Sequence, residues 1–409
     1  MRILVIGCGG VGASFAPIVG RRDFYEHIVF ADYDLARAQR VVDRYDGGRG
    51  RFSATRVDAS DPAQVRELIE AERITHVLNA VDPRWVMPIF TACLEAGVTY
   101  MDLALSLSES HPERPYELPG KKLGDDQFAR AAEWEERGLL ALVGCGVDPG
   151  LSDVFARYAQ DRLFSEIQEC NVRDGSDIVV QGYDFAPGFS IWTTIEECLN
   201  PPLVWEADRG WYTLPPFSEP ETFTFPEVGS IECVHVEHEE VVLIPRWIRC
   251  RKVTFKYGLG EEFIEVLKTL HKLGLDRKDK VRVGEVEVAP RDVVASLLPD
   301  PATLGDKMTG KTCVGTWVRG TGTDGRPREV YLYHVVDNEE CYRRDGAQAV
   351  VWQTALNPAI GLELLASGVW QGAGVLGPEA FDAVPYLELL KEHGSPWGIE
   401  ERPPAAGSG

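Results

Sequence analysis

Apolar and polar positions fall into alternating blocks along the first 150 residues. A short apolar run over 1–6 (MRILVI) leads directly into Gly7-Cys8-Gly9-Gly10-Val11-Gly12. Residues 13–22 carry a helix-compatible pattern, and a second apolar run, Ile28-Val29-Phe30-Ala31, ends at Asp32. The same rhythm then predicts a helix over 35–45, a strand over 52–57 closed by Asp58, a strand over 74–80, and strands over 100–103 and 139–145. Asp61-Pro62 and Asp82-Pro83 open the intervening helices, the second reaching Ala96. An Asp cap followed by Pro suits a helix start, because the carboxylate takes orphan amides and Pro has no N–H to lose there. Alternation of this kind predicts an α/β fold, a Rossmann-type doubly wound parallel sheet, over 1–150.

Beyond 151 the alternation stops. Strand-like runs at 170–173, 179–183, 241–244 and 250–257 dominate, with helical segments at 260–273 and 290–298. Alternating runs at 312–318 and 329–335 flank Asp324-Gly325 and predict a hairpin. Together they predict an α+β substrate domain over 151–345, built on a largely antiparallel sheet. Helical character returns at 348–367, with a break or kink at Asn357-Pro358, and at 379–392. Ala355, Ile360, Leu362, Leu364 and Leu365 need a surface to cover. Residues 346–400 are therefore expected to return to the first domain as helices. The last stretch, 401–409, reads as a tail, disordered from Pro403 onward. Residues 106–126 form a polar connection longer than most in compact domains, a lid, a partner contact or a plain surface insertion.

Composition narrows the classes. The 409 residues leave room for two domains with separate cores. A formal net charge of −22 argues against a nucleic-acid partner and against adsorption to anionic membranes. No apolar run reaches the ~20 residues of a membrane span, and the chain enters its first strand with no room for a signal peptide. The nine cysteines are scattered without a C-x-x-C pair, as expected of reduced thiols in a cytoplasmic protein. His235 and His238 (HVEH) would face opposite sides of a strand, so no metal site is expected.

The glycine block carries the first chemistry. Gly7 permits a tight turn, Gly9 lets backbone approach a pyrophosphate, and Gly12 lets the following helix pack close to the sheet, with Gly10 and Val11 completing the loop. Asp32 accepts hydrogen bonds from an adenosine ribose and repels a 2′-phosphate. Tyr33 follows it where Arg would suit NADP, so NAD is the expected cofactor, and Arg37 one turn on leaves NADP open. Ligands of such sheets lie beyond the carboxyl ends of the strands. That rule selects Asp58 and Ala59 near the adenine, Asn79, Ala80 and Val81 near the nicotinamide ribose, then Asp102 and residues 146–150.

Four blocks together resemble the saccharopine dehydrogenase (saccharopine reductase) family, which includes carboxynorspermidine dehydrogenases and lysine 6-dehydrogenases. They are the glycine block with Ala31-Asp32; Val77-Leu-Asn-Ala-Val-Asp-Pro83 with Ala92-Cys93 and Tyr100-Met-Asp-Leu103; Gly144-Cys-Gly-Val-Asp-Pro-Gly-Leu-Ser152; and Thr354-Ala-Leu-Asn-Pro358 with Leu364-Leu-Ala-Ser-Gly368, Gly374-Val375 and Gly377-Pro-Glu379. The middle of the chain matches more loosely, at Trp192-Thr193 and Lys256-Tyr257-Gly258. The resemblance implies NAD(P)-dependent hydride transfer at a secondary amine or imine carbon of an amino-acid or polyamine derivative. It also implies a small-molecule amine with a 2-oxo acid or aldehyde as substrates, and a homodimer. An oxidative deaminase, or an NAD-binding regulatory protein without turnover, remains the alternative.

Such a reaction needs an acid or base for the nitrogen, and cations for any substrate carboxylate. Asp102 and Asp148 are the ionisable groups nearest the expected nicotinamide, although Asp148 also reads as a cap for the next helix. Lys256, Arg251 and Arg246 are the candidates for carboxylates; strand parity cannot aim all three one way, and Lys256 matches a basic residue of the family. Trp192 and Thr193 are expected in the pocket wall. Two departures bear on the substrate: Leu103-Ala104 stand where the family often has Ser or Thr, and 106–126 exceeds the usual length.

Overall fold

The structure is a computed structural model that describes residues 1–403. Two sheets organise it. The first is fully parallel. Its strands are β1 (Arg2–Ile6), β2 (His27–Asp32), β3 (Phe52–Arg56), β4 (His76–Asn79), β5 (Thr99–Asp102) and β6 (Leu140–Leu142), in the order β6-β5-β4-β1-β2-β3. Helices α1 (Gly10–Val19), α2 (Leu35–Tyr45), α3 (Pro62–Ala71) and α4 (Val86–Ala96) connect them. The strands β1 and β2 are near-continuous apolar runs because both faces are covered; Ile3, Leu4 and Val5 are completely buried.

A seventh strand, Gly374–Leu376, pairs in parallel with β6. The C-terminal segment thus returns to the first sheet as a strand as well as helices. Ahead of it runs the helix Ala349–Ala366, buried along most of its length and packed against α1. That helix passes through Pro358 without the expected break. Asn357 Nδ2 donates to the Gln353 carbonyl one turn back along the same helix, at 2.7 Å.

The second sheet is mixed. Lys252–Gly258 lies parallel to Phe164–Ser176, which pairs antiparallel with Lys311–Gly322. Pro327–Asp337 completes the expected hairpin with Lys311–Gly322. Trp397–Glu401 adds an edge strand against Pro327–Asp337, so the segment expected to be a tail begins inside an element. The expected disorder from Pro403 falls almost wholly outside the described residues.

One sequence expectation is corrected outright. Residues 241–244 lie in a helix, Glu240–Trp247, and not in a strand. A four-residue buried apolar run has no periodicity to separate the two. The 106–126 connection is tied down at its start, where Ser108 Oγ donates to Glu237 at 2.8 Å and Ser106 N–H to Gln127 at 2.8 Å. None of the described helices is long and apolar enough to cross a membrane.

Candidate active site

The glycine turn is built as a phosphate cradle requires. Gly7 has φ +101° and faces the Ala80 carbonyl, and a Cβ on Gly12 would collide with the Gly7 carbonyl oxygen, so α1 lies directly on β1. Gly9 is exposed, and a Cβ there would meet nothing. The open side of the turn and the free amides of the first turn of α1 therefore fit a dinucleotide pyrophosphate. Gly10 and Val11 line the same cleft. Asp32 is buried and accepts from Cys8 N–H at 2.8 Å and Asp34 N–H at 2.9 Å, tying the end of β2 to the glycine turn. Tyr33 beside it is exposed, and the Arg37 guanidinium lies 5.5 Å from its ring centre.

Other residues expected near the cofactor fall along the same sheet edge. Asp58 is exposed and takes the amide and hydroxyl of Ser60, which holds its carboxyl below the usual range. Ala59 is half-buried beside it. Asn79, Ala80 and Val81 line the cleft. The Asn79 side chain is also fastened, donating to Tyr100 OH at 3.0 Å and accepting from Val81 N–H at 3.2 Å.

The cleft continues from the carboxyl edge of the first sheet to the second sheet, with a volume of about 270 Å³. Its most pronounced property is charge. Asp82, Asp102, Asp148, Asp174, Glu197, Glu239 and Asp300 line it, and among the described residues no lysine or arginine does. His238 and Tyr257 complete its polar lining deep in the second domain.

Each carboxylate has its own environment. Asp102 accepts from Gly144 N–H at 2.7 Å, Gln127 Nε2 at 2.7 Å and Tyr100 OH at 2.9 Å, so both oxygens are engaged. Burial nonetheless pushes its pKa up to about 7. Asp148, Asp174 and Tyr257 line the cleft together, close enough for their charges to act on one another. Burial, followed by the charge of Asp174, raises Asp148 well above the carboxylate range. Burial pushes Asp174 up to about 7 and Glu197 up to about 8. Asp148 is not the helix cap: Gly150 holds that position before Leu151–Tyr158, and Asp153 takes the Gly150 N–H at 2.8 Å.

Strand parity decides which charges reach the cleft. Tyr257 is in register with Asp174, and Lys256 with Arg173. Successive residues face opposite sides, so Tyr257 and Asp174 point to the cleft while Lys256 and Arg173 point away. Lys256 Nζ donates to the Glu219 carbonyl at 2.6 Å and to Glu221 at 3.0 Å. Its expected place in the substrate pocket is therefore corrected. Arg251 is corrected too, being largely exposed and paired with Asp208 at 3.0 Å. Arg246 belongs to the helix Glu240–Trp247, with its guanidinium 3.6 Å from the Phe128 ring centre. Thr193 lines the cleft. Trp192 packs behind it, with Arg84 at 4.3 Å and Arg291 at 4.9 Å from its ring centre.

His235 and His238 do not share a strand, since Gly229–His235 ends at the first of them. His235 Nδ1 donates to the Phe255 carbonyl at 3.1 Å, whereas His238 reaches the cleft. Among the described residues no cluster of three or more His, Cys, Asp or Glu is arranged to hold a metal. Sequence reasoning missed Asp174, Glu197, His238, Glu239 and Tyr257. The acidic run Glu237-His238-Glu239-Glu240 was the available signal, because consecutive charges in a segment flanked by apolar residues are expensive unless they serve one another or a ligand.

Comparison with known proteins bears on both domains. The family model described as "Saccharopine dehydrogenase NADP binding domain" matches residues 3–142. That described as "Saccharopine dehydrogenase C-terminal domain" matches residues 146–395. A carboxynorspermidine synthase of Vibrio alginolyticus is 31% identical over 416 aligned positions, covering 99% of this chain and 98% of the relative. A carboxyaminopropylagmatine dehydrogenase of Synechocystis is 28% identical, covering 97% of this chain and 96% of the relative. Apo saccharopine dehydrogenase (L-Glu forming) from Saccharomyces cerevisiae superposes with a TM-score of 0.69 at 12% identity, over 98% of this chain and 100% of that one; this likeness is one of fold.

Proposed function

The chain belongs to the saccharopine dehydrogenase family, and from that premise we propose that its amine substrate is a polycation, a diamine or guanidino-amine, joined to a carbonyl compound by reduction of the imine between them. It is an NAD(P)-dependent oxidoreductase acting on carbon–nitrogen bonds of amine-derived substrates. The observation that carries the proposal is the cleft lining: seven carboxylates line it with no lysine or arginine among the described residues, and once Asp82, paired with Arg84 at 2.8 Å, and the exposed Asp300 are set aside, Asp102, Asp148, Asp174, Glu197 and Glu239 remain without such a partner. Buried carboxylates without cations are costly. A substrate bearing two or more ammonium or guanidinium groups supplies the missing partners. The relatives' names point the same way, because norspermidine and agmatine each carry more than one positive charge.

The side chains divide the work. The open face at Gly9 and the N-terminus of α1 hold the pyrophosphate, and Asp32 faces the adenosine ribose, which favours NAD. Bound there, the dinucleotide supplies the hydride. Asp148 and Asp174 hold the ammonium nearest the reacting carbon, and Glu197 and Glu239 take the charge at the other end of the amine. Asp102 keeps the first-domain edge in place through its three hydrogen bonds. Pro301 and Ala302 close over the glycine turn, where Ala302 packs against the Gly10 position, and help to exclude water.

An NADH- and NADPH-consumption screen tests this. It pairs 1,3-diaminopropane, putrescine, agmatine and lysine with aspartate semialdehyde, aminoadipate semialdehyde and 2-oxoglutarate. The diamines or agmatine are expected to give the highest kcat/KM. Preference for lysine with 2-oxoglutarate, oxidation of lysine alone, or tight NADH binding without turnover would each overturn the reading. A cytoplasmic homodimer completes the proposal. Exposed Leu273, Val283, Val286 and Leu297 supply apolar area for an interface, and light scattering after gel filtration measures the mass.

A further inference from the structure

The helix Glu240–Trp247 and the residues before it hold a side-chain chain that the functional reading leaves unused. His238 is 5% exposed, and its ring stacks on Phe255 at 3.8 Å between centroids, with the planes 8° apart. Its Nδ1 is 2.5 Å from Glu240 Oε2. Glu240 is fully buried, and its other oxygen accepts from Ser152 Oγ at 2.9 Å. The Ser152 carbonyl in turn accepts from Thr316 Oγ1 at 2.6 Å. Ring plane, ring nitrogen and carboxylate are therefore all fixed from two strands and two helices. The imidazole lines the cleft, and its Nδ1 is committed to Glu240, leaving Nε2 for a ligand.

We propose that His238, oriented by Glu240 and Ser152, is the acid–base group for the reacting nitrogen. Three linked side chains, one of them facing the substrate and the others orienting it, are the usual architecture of an activated proton carrier. The assignment rests on imine reduction at this cleft. As the carbon of the protonated imine (an iminium, held among the cleft carboxylates) accepts hydride from the bound dihydronicotinamide, a C–H bond forms and the C=N π pair becomes the nitrogen lone pair of a neutral amine. The nicotinamide is oxidised. The nitrogen then takes the Nε2 proton, giving a secondary ammonium and a neutral imidazole whose Nδ1–H stays on Glu240. Solvent returns a proton to His238 after product leaves.

The electrostatics suit a group charged at neutral pH. Burial works to lower the His238 pKa, but the carboxylates of Glu240, Glu239 and Glu197 together hold it well above its ordinary value. Asp148, Asp153 and Asp174 face the same imidazole from the first-domain edge and the second sheet. A cationic substrate entering among these carboxylates draws the pKa back down, so that the proton is released when the nitrogen needs it.

The test uses the full-length enzyme and whichever amine–carbonyl pair the wild type turns over, so a wrong substrate class and a wrong acid are told apart. For His238→Ala, single-turnover hydride transfer should slow by roughly 10²–10⁴-fold, with NADH affinity and amine KM within threefold of wild type. Added imidazole should restore part of the rate. Glu240→Gln should lose less and shift the pH profile of kcat to lower pH. A His238→Ala rate within threefold of wild type overturns the assignment. So does a slow variant that imidazole does not rescue while its NADH affinity and melting temperature stay intact. If His238→Ala does not fold, His238→Gln, which can keep the Glu240 contact but cannot carry the proton, decides by the same rate criterion.

Discussion

The two faces of the strand Lys252–Gly258 and its neighbour Phe164–Ser176 carry similar numbers of charges and use them in opposite ways. On the outer face, Lys256 and Arg173 both bond Glu221, Lys256 also bonds the Glu219 carbonyl, and Arg173 Nη1 is 2.7 Å from the Val172 carbonyl. The cluster is complete within the protein. On the cleft face, one residue away along each strand, Tyr257 and Asp174 meet Asp148, and Glu197 lies close enough to add to the charge on all of them. No lysine or arginine closes that set among the described residues lining the cleft; the single His238 imidazole faces several carboxylates at once. A buried charge that finds its partner inside the protein is a matter of structure. Buried carboxylates left without one mark the place where a ligand brings the partner.

The sharpest way to break this contrast is to remove charge from the cleft face. Asp148→Asn should raise the KM for a diamine by roughly 10–150-fold, the equivalent of about 1.5–3 kcal/mol for a hydrogen bond to a charged group. The dissociation constant for NADH, measured by fluorescence titration, should stay within twofold. A diamine KM that does not move would mean that the acidic face does not meet the amine.

A smaller effect concerns pH and the free protein. Burial raises the folded-state pKa of Asp102, Asp174 and Glu237 to about 7 and of Glu197 and Glu379 to about 8. Their unfolded values are about 4. Between those limits the folded state binds more protons than the unfolded one, so stability falls as pH rises. Each group still protonated in the fold contributes up to about 1.4 kcal/mol per pH unit to that loss. Depressed histidines such as His334 no longer oppose it above about pH 7, where the unfolded imidazole is already neutral. Scanning calorimetry without ligand should show Tm dropping by roughly 2–5 °C from pH 7 to 8.5. A saturating diamine should recover more of the loss at pH 8.5 than at pH 7.

The outer face should respond in the other sense. Lys256→Ala should lower stability by about 1.5–3 kcal/mol, since it takes two hydrogen bonds from a nearly buried ammonium, yet leave diamine KM within twofold. Arg251→Ala, at an exposed pair, should change stability by no more than about 0.5 kcal/mol. Denaturant melts together with steady-state kinetics separate the two faces.

Much of this architecture was legible in the residues themselves. The first domain could be read because its period, its glycine spacing and its Asp-Pro caps agree with one another. Local geometry also placed Asp32 and the glycine turn. The cleft is different: Asp102, Asp148, Asp174, Glu197 and His238 come together only through the pairing of Lys252–Gly258 with Phe164–Ser176 and the docking of the second sheet on the first. Parity along a strand says that Lys256 and Tyr257 diverge; it does not say which of them faces inward. The HVEH stretch misled for a related reason. Strand alternation does not relate His235 to His238, because the strand ends at His235. The apolar run over 241–244 was likewise too short to reveal a helix. The return of Gly374–Leu376 to β6 is a long-range pairing that a three-residue strand cannot announce.

The central claim is that the cleft-face carboxylates are completed by the charges of the amine. Calorimetric titration of the NAD-loaded enzyme with a diamine, in buffers of different ionisation enthalpy, measures this directly. The account predicts proton release on binding near pH 7, and a dissociation constant that tightens as pH rises from 6 to 8.5. Proton uptake, or an affinity that does not change with pH, would contradict it.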